Sequence, residues 1–126
     1  MIFLGGRDDI ADLLLAADVL VHPARSEAAG IVLLEALVAG LPVVTTAACG
    51  YAHHIETAGA GLVLPEPFSQ DALDAALAQM LDGAFRDQCR GSGLAYAASE
   101  DLYSLHSAGA TLIEQLIRRK RDRAND

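Results

Sequence analysis

Hydrophobic and polar positions along the chain fall into short blocks, with glycine or proline at most of the joints, and this pattern predicts alternating strands and helices. Ile2, Phe3 and Leu4 form an apolar run closed by Gly5-Gly6, which predicts a first strand over residues 2–4. Asp8-Asp9 then offers side-chain oxygens to open a helix over 9–17. A second strand over 19–21 is stopped by His22-Pro23, and a loop over 24–28 leads to a helix over 30–39. Gly40 suits the left-handed residue that closes such a helix. A third strand at 43–45, a short helix at 53–58 and a fourth strand at Gly61–Leu64, closed by Pro65, follow. From Ser69 onward the period is helical: Leu73, Ala76, Leu77, Met80 and Leu81 recur on one side, and two more helices are predicted over 84–98 and 100–121. Short strands separated by helices imply parallel pairing through right-handed crossovers. The expected fold class is therefore α/β: a Rossmann-like, doubly wound parallel sheet of at least four strands with a helical C-terminal end.

The helix over 30–39 departs from an ordinary amphipathic pattern. At about 100° per residue its Ile, Val, Leu and Ala positions point in nearly every direction, and Glu35 is its single charge. That predicts a helix covered on most sides. A carboxylate there must reach a rim, a cleft or a ligand, because burying it unpaired is costly.

Composition agrees with one domain spanning residues 1–126. At 126 residues the chain can bury a substantial core, and with 52% hydrophobic residues, 5% aromatics and no Trp that core is aliphatic. The net charge of −8 is unevenly spread, because Arg118, Arg119, Lys120, Arg121 and Arg123 crowd the end of the chain. What precedes them is strongly acidic, which argues against a nucleic-acid binder. The basic tail reads as a solvated helix end whose cations suit the C-terminal dipole, with a membrane-surface or acidic-partner role as the alternative. Cys49 and Cys89 form no CxxC pair and read as small buried thiols of a reducing compartment. No signal peptide or membrane span is legible: the apolar run before Pro42 is short and interrupted by Glu35. A chain that opens directly on a strand predicts a piece of a longer protein.

In doubly wound folds ligands bind beyond the carboxyl ends of the strands. The loop His22-Pro23-Ala24-Arg25-Ser26-Glu27-Ala28-Ala29-Gly30 gathers more polar groups than any other turn and feeds a helix N-terminus, whose free N–H groups favour an anion. Gly30 lets the backbone approach a ligand closely. Glu27 and Glu35 stand eight residues apart, and the spacing allows both to line one cleft. Equally, Glu27 could serve only the helix dipole and Glu35 only the rim. His53-His54 reads as a helix-start pair. Asp18, His22 and Ser26 have poor geometry for a triad, and no metal-binding spacing, phosphate loop or GxGxxG is present.

The run Glu27-Ala28-Ala29-Gly30-Ile31-Val32-Leu33-Leu34-Glu35, followed by Gly40-Leu41-Pro42-Val43-Val44, resembles the E-x7-E motif of retaining GT-B glycosyltransferases of family 4, the glycosyl transferases group 1. Ala17-Asp18-Val19-Leu20-Val21-His22-Pro23 and Gly61-Leu62-Val63 are similar to the C-terminal half of that family, so the resemblance covers nearly the whole chain. Cys49-Gly50-Tyr51-Ala52-His53 and Glu100-Asp101-Leu102-Tyr103-Ser104-Leu105 resemble, more narrowly, members that add the first glucose to the inner-core heptose of lipopolysaccharide. The resemblance implies a retaining hexosyltransferase domain that takes UDP-glucose as donor, with no metal and no cofactor. It implies that Glu35 accepts hydrogen bonds from the ribose hydroxyls, that the amides near Ala29, Gly30 and Ile31 hold the diphosphate, and that Glu27 lies beside the hexose as the catalytic candidate. Two positions depart from the family pattern: Ala29 stands where many members carry an aromatic residue, and His53 where many carry Glu. The resemblance also implies that an acceptor-binding N-terminal domain, with the basic residues that neutralise the diphosphate, would lie upstream of Met1. The chain alone would then be inactive, cytoplasmic or peripheral at the inner membrane through the parent enzyme. It would be prone to form a homodimer through Leu112, Ile113, Leu116 and Ile117. The alternative is a non-catalytic α/β module for nucleotide-sugar binding or protein interaction.

Overall fold

The computed structural model describes residues 1–102. Within them a parallel sheet of three strands, β1 (Leu20–His22), β2 (Val43–Thr46) and β3 (Gly61–Leu64), runs in the order β1-β2-β3. Leu20 lies opposite Val43, and Val43 opposite Gly61, so the three strands start level and their carboxyl ends share one edge. Helices α1 (Ile10–Ala16), α2 (Ile31–Ala39), α3 (Ala52–Ala58), α4 (Gln70–Met80) and α5 (Gly83–Ser99) complete the described elements.

β2 is buried along its whole length, and its alternating side chains divide between two cores. Val43 faces one core with Leu14 of α1, Leu33 and Leu37 of α2 and Ile55 of α3. Val44 faces the other with Leu64 of β3 and Leu73, Ala76 and Met80 of α4. A central parallel strand covered on both faces needs such an unbroken apolar run, and the doubly wound arrangement follows from it. α5 begins against the second core through Phe85 and ends against the first through Tyr96 and Ala97. The approach depends on small residues: a Cβ on Gly93 would lie 3.1 Å from Cβ of Ala60.

Several expectations hold at their caps. Gly40 closes α2 in the left-handed region at φ 67°, and Ser69 Oγ accepts the Ala72 N–H to open α4. Cys49 and Cys89 are buried free thiols.

Three expectations need correction. Residues 2–4 form no strand: Ile2 and Phe3 are 85% and 89% exposed, and the described sheet has three strands rather than at least four. Three apolar residues become a strand only when a neighbour pairs their backbone, and none of the described strands does so. At α1, Asp9 holds the N-cap position without a side-chain cap bond, because its carboxylate is turned to the Arg7 guanidinium instead. α5 stops at Ser99, and residues 100–102, where a final helix was expected to begin, are not helical. The rest of that helix, its Leu112–Ile117 stripe and the basic tail lie outside the described residues.

Candidate functional site

The loops leaving β1 and β2 are locked together at the carboxyl edge of the sheet. Thr45 Oγ1 donates to the His22 carbonyl, Thr46 Oγ1 to the Ala24 carbonyl, and the Tyr51 N–H to the Ala29 carbonyl at 2.9 Å. Thr45 and Thr46 are buried, so these bonds satisfy hydroxyls that would otherwise be orphaned. Glu27 and Cys49 form an isolated parallel bridge between the two loops. The contact needs Gly50, because a Cβ there would lie 2.3 Å from the Ala28 carbonyl oxygen. Sequence reasoning did not assign Gly50 a role; the signal was a glycine seven residues after the start of β2, facing a loop that is distant in sequence.

The interlocked loops border an open hollow of about 450 Å³ lined by Glu27, Ala28, Gly50, His53 and Glu56, among others. Glu27 is half-buried and its Oε1 accepts the Ala29 N–H at 3.4 Å, a long bond that leaves the second carboxylate oxygen to other partners. α2 opens on Gly30, buried at φ 79°, a left-handed conformation that only glycine adopts without strain. No side chain caps this N-terminus, so the first-turn amides at Ile31 and Val32 keep the electropositive character of an uncapped helix start.

His53 and His54 both fall in the first turn of α3, as a helix-start pair should. His53 Nδ1 lies 2.9 Å from the Gly50 carbonyl, and His54 Nδ1 lies 2.7 Å from the Tyr96 hydroxyl. Burial, reinforced by His53, pulls the His54 pKa below its ordinary value, against the opposing influence of Glu100.

Glu35 lies elsewhere. It is exposed on the Ile31–Glu35–Val38 stripe of α2, while Leu33, Leu34, Ala36 and Leu37 are buried. With Val38 and with Ile10, Leu14 and Leu15 of α1 it lines a groove of about 280 Å³ that shares no residue with the Glu27 hollow. Glu27 and Glu35 thus line different hollows among the described residues: α1 packs along one side of α2, while the β1 and β2 loops close over its N-terminus. The structure brings Glu27, Ala29 and Gly30 together and leaves Glu35 a turn and a half along the helix. A third hollow adjoins the first at Ala48 and carries Arg25, whose guanidinium lies 5.2 Å from the Phe68 ring centroid.

His22 Nε2 is buried with no hydrogen-bond partner among the described residues, so Asp18, His22 and Ser26 form no relay. Among the described residues no cluster of three or more His, Cys, Asp or Glu could hold a metal ion, and no helix is long and apolar enough to cross a membrane.

Residues 1–93 match the family model of the glycosyl transferases group 1. The chain belongs to that family. Among its relatives is the lipopolysaccharide glucosyltransferase WaaG of Escherichia coli (strain K12), 51% identical over 112 residues that cover 88% of this chain and 30% of WaaG. The crystal structure of WaaG, described as a glycosyltransferase involved in lipopolysaccharide biosynthesis, superposes with a TM-score of 0.82 at 50% identity, over 86% of this chain and 30% of that one. Sucrose-phosphate synthase from Thermosynechococcus elongatus superposes at 0.66 with 28% identity, over 87% of this chain and 27% of that one. The α/β fold with its parallel sheet is therefore the arrangement found in these solved structures. The chain spans about 30% of the length of WaaG.

Proposed function

We propose that this group 1 chain is the donor-nucleotide-binding domain of a retaining hexosyltransferase that moves glucose from UDP-glucose to the lipopolysaccharide core. The observation that carries the proposal is the uncapped N-terminus of α2, opened by left-handed Gly30 beside Glu27, at the carboxyl edge of a parallel sheet. In this scheme the amides around Ala29, Gly30 and Ile31 take the diphosphate. They stabilise the charge that collects there when the bond from C1 of the hexose to the diphosphate oxygen breaks. The electron pair leaves with the diphosphate, and the acceptor hydroxyl oxygen forms the new bond to C1 while its proton passes to the departing diphosphate oxygen. Glu27 bonds to hexose hydroxyls and is the catalytic candidate. Glu35, exposed on α2, accepts from the two ribose hydroxyls, which gives a carboxylate in an apolar helix its use.

The WaaG relationship supports the substrate class, and the absence of any lysine or further arginine from residues 8–85 apart from Arg25 supports a site that relies on backbone amides. On this proposal the chain alone is inactive, its acceptor site being supplied by an N-terminal domain, and the whole enzyme works in the cytoplasm at the inner membrane face. Calorimetric titration with UDP, UDP-glucose and UMP tests the donor claim. Binding of UDP and UDP-glucose that weakens about tenfold in Glu35→Ala is the expected result; no binding, or binding unchanged by the substitution, overturns the ribose contact.

A further inference from the structure

We propose that Glu56 is a specificity-determining residue that restricts the sugar held beside Glu27 to uncharged hexoses; this rests on the nucleotide-sugar function proposed above. Glu56 follows His53 by three positions on α3, so both side chains share one face of the helix, and both line the Glu27 hollow. The hollow therefore carries two carboxylates, and none of its lining residues is Lys or Arg. The nearest cation by chain position, Arg25, lines the adjoining hollow and is drawn over the Phe68 ring.

His53 sharpens the picture. A carbonyl oxygen can only accept, so the 2.9 Å contact with the Gly50 carbonyl fixes the proton of neutral His53 on Nδ1 and leaves Nε2 as an acceptor. In its neutral form the lining then offers hydrogen-bond acceptors from Glu27, Glu56 and His53 together. A ligand dense in O–H donors, such as a hexose, satisfies such a set, and the volume of the hollow suits one sugar ring. A sugar bearing a carboxylate meets like charge from two sides with no countercharge in the lining. At the dielectric of a partly exposed site each such pair discriminates on the order of tenfold. Glu27 adjoins the α2 N-terminus, where the helix dipole offsets its charge, whereas Glu56, exposed near the end of α3, has no such compensation. Glu56 is accordingly the larger electrostatic barrier.

The test is calorimetric titration of the wild-type chain and Glu56→Gln with UDP, UDP-glucose and UDP-glucuronate at low and high salt. Gln keeps the size and the acceptor and removes the charge. In the wild type UDP-glucose is expected to bind at least tenfold tighter than UDP-glucuronate. Glu56→Gln is expected to narrow that ratio about tenfold at low salt, and less at high salt, with UDP affinity unchanged. A ratio that does not move while UDP still binds overturns the role of Glu56 and leaves the nucleotide site standing. Failure of UDP to bind the wild type overturns the nucleotide site, and the specificity role with it.

Discussion

The His54 ring, wedged between His53 and Tyr96, is a partly buried imidazole whose pKa is lowered chiefly by desolvation. The unfolded chain therefore takes up a proton at this residue at a higher pH than the folded one does. Above the ordinary value of 6.5 both states are neutral and the His54–Tyr96 contact contributes in full. As pH falls through 6.5 toward the lower folded value, the unfolded state is favoured and stability declines. Urea midpoints measured between pH 7.5 and 5 should show a decline in the wild type that is shallower in His54→Phe; equal slopes would mean that His54 is not the titrating group. Glu35 owes its position to packing rather than to periodicity. The helical wheel identified it as the one charge on an apolar helix but gave it no direction, since a helix apolar all round has no preferred face. Packing of α1 and the sheet against Leu33, Leu34 and Leu37 selected the Ile31–Glu35–Val38 stripe as the open one.

Most elements were legible from local signals. The αL residue closing α2, the Ser69 cap of α4 and the limits of β3 follow from rules that act within a few residues. What escaped notice was the relation between elements: the bridge from Glu27 to Cys49 joins loops more than twenty residues apart, and its dependence on Gly50 is invisible along the chain. Gly50→Ala would force a Cβ into the Ala28 carbonyl and part the two loops. It should cost about 1–3 kcal/mol in urea unfolding and shift the backbone amide resonances of Ala28 to Ile31. Gly91→Ala makes the contrasting case: it lies inside α5 with open space where its Cβ would stand, and should stabilise by roughly 0.5–1 kcal/mol. If both changes had the same sign, the loop contact would not be what holds Gly50 in place.

At the scale of the molecule, the described residues form a sheet whose first strand pairs on one side only, beside apolar residues left in solvent. Phe3, Leu15 and Ile10 are exposed at 89%, 67% and 43%, and the α1–α2 groove is lined largely by apolar side chains. Such surface favours association, and the chain is expected to form a homodimer at high concentration. Light scattering across a concentration series checks this; a monomer mass throughout would argue against it. The resemblance carried by Glu27 to Glu35 and its flanking runs pointed to the family that the match over residues 1–93 shows, while the roles of Glu27 and Glu35 belong to the proposal above. The sequence by itself determined the alternation of elements from β1 to α5, the Gly40 and Ser69 caps and the residue types at the candidate site, because these depend on periodicity and on chemistry within one turn or loop. Only the tertiary structure decided that residues 2–4 stay unpaired, that Glu35 faces the α1 groove, and that Glu56 and His53 join Glu27. Those outcomes depend on which distant backbones can approach each other, and that is fixed by packing between elements and not by any local pattern.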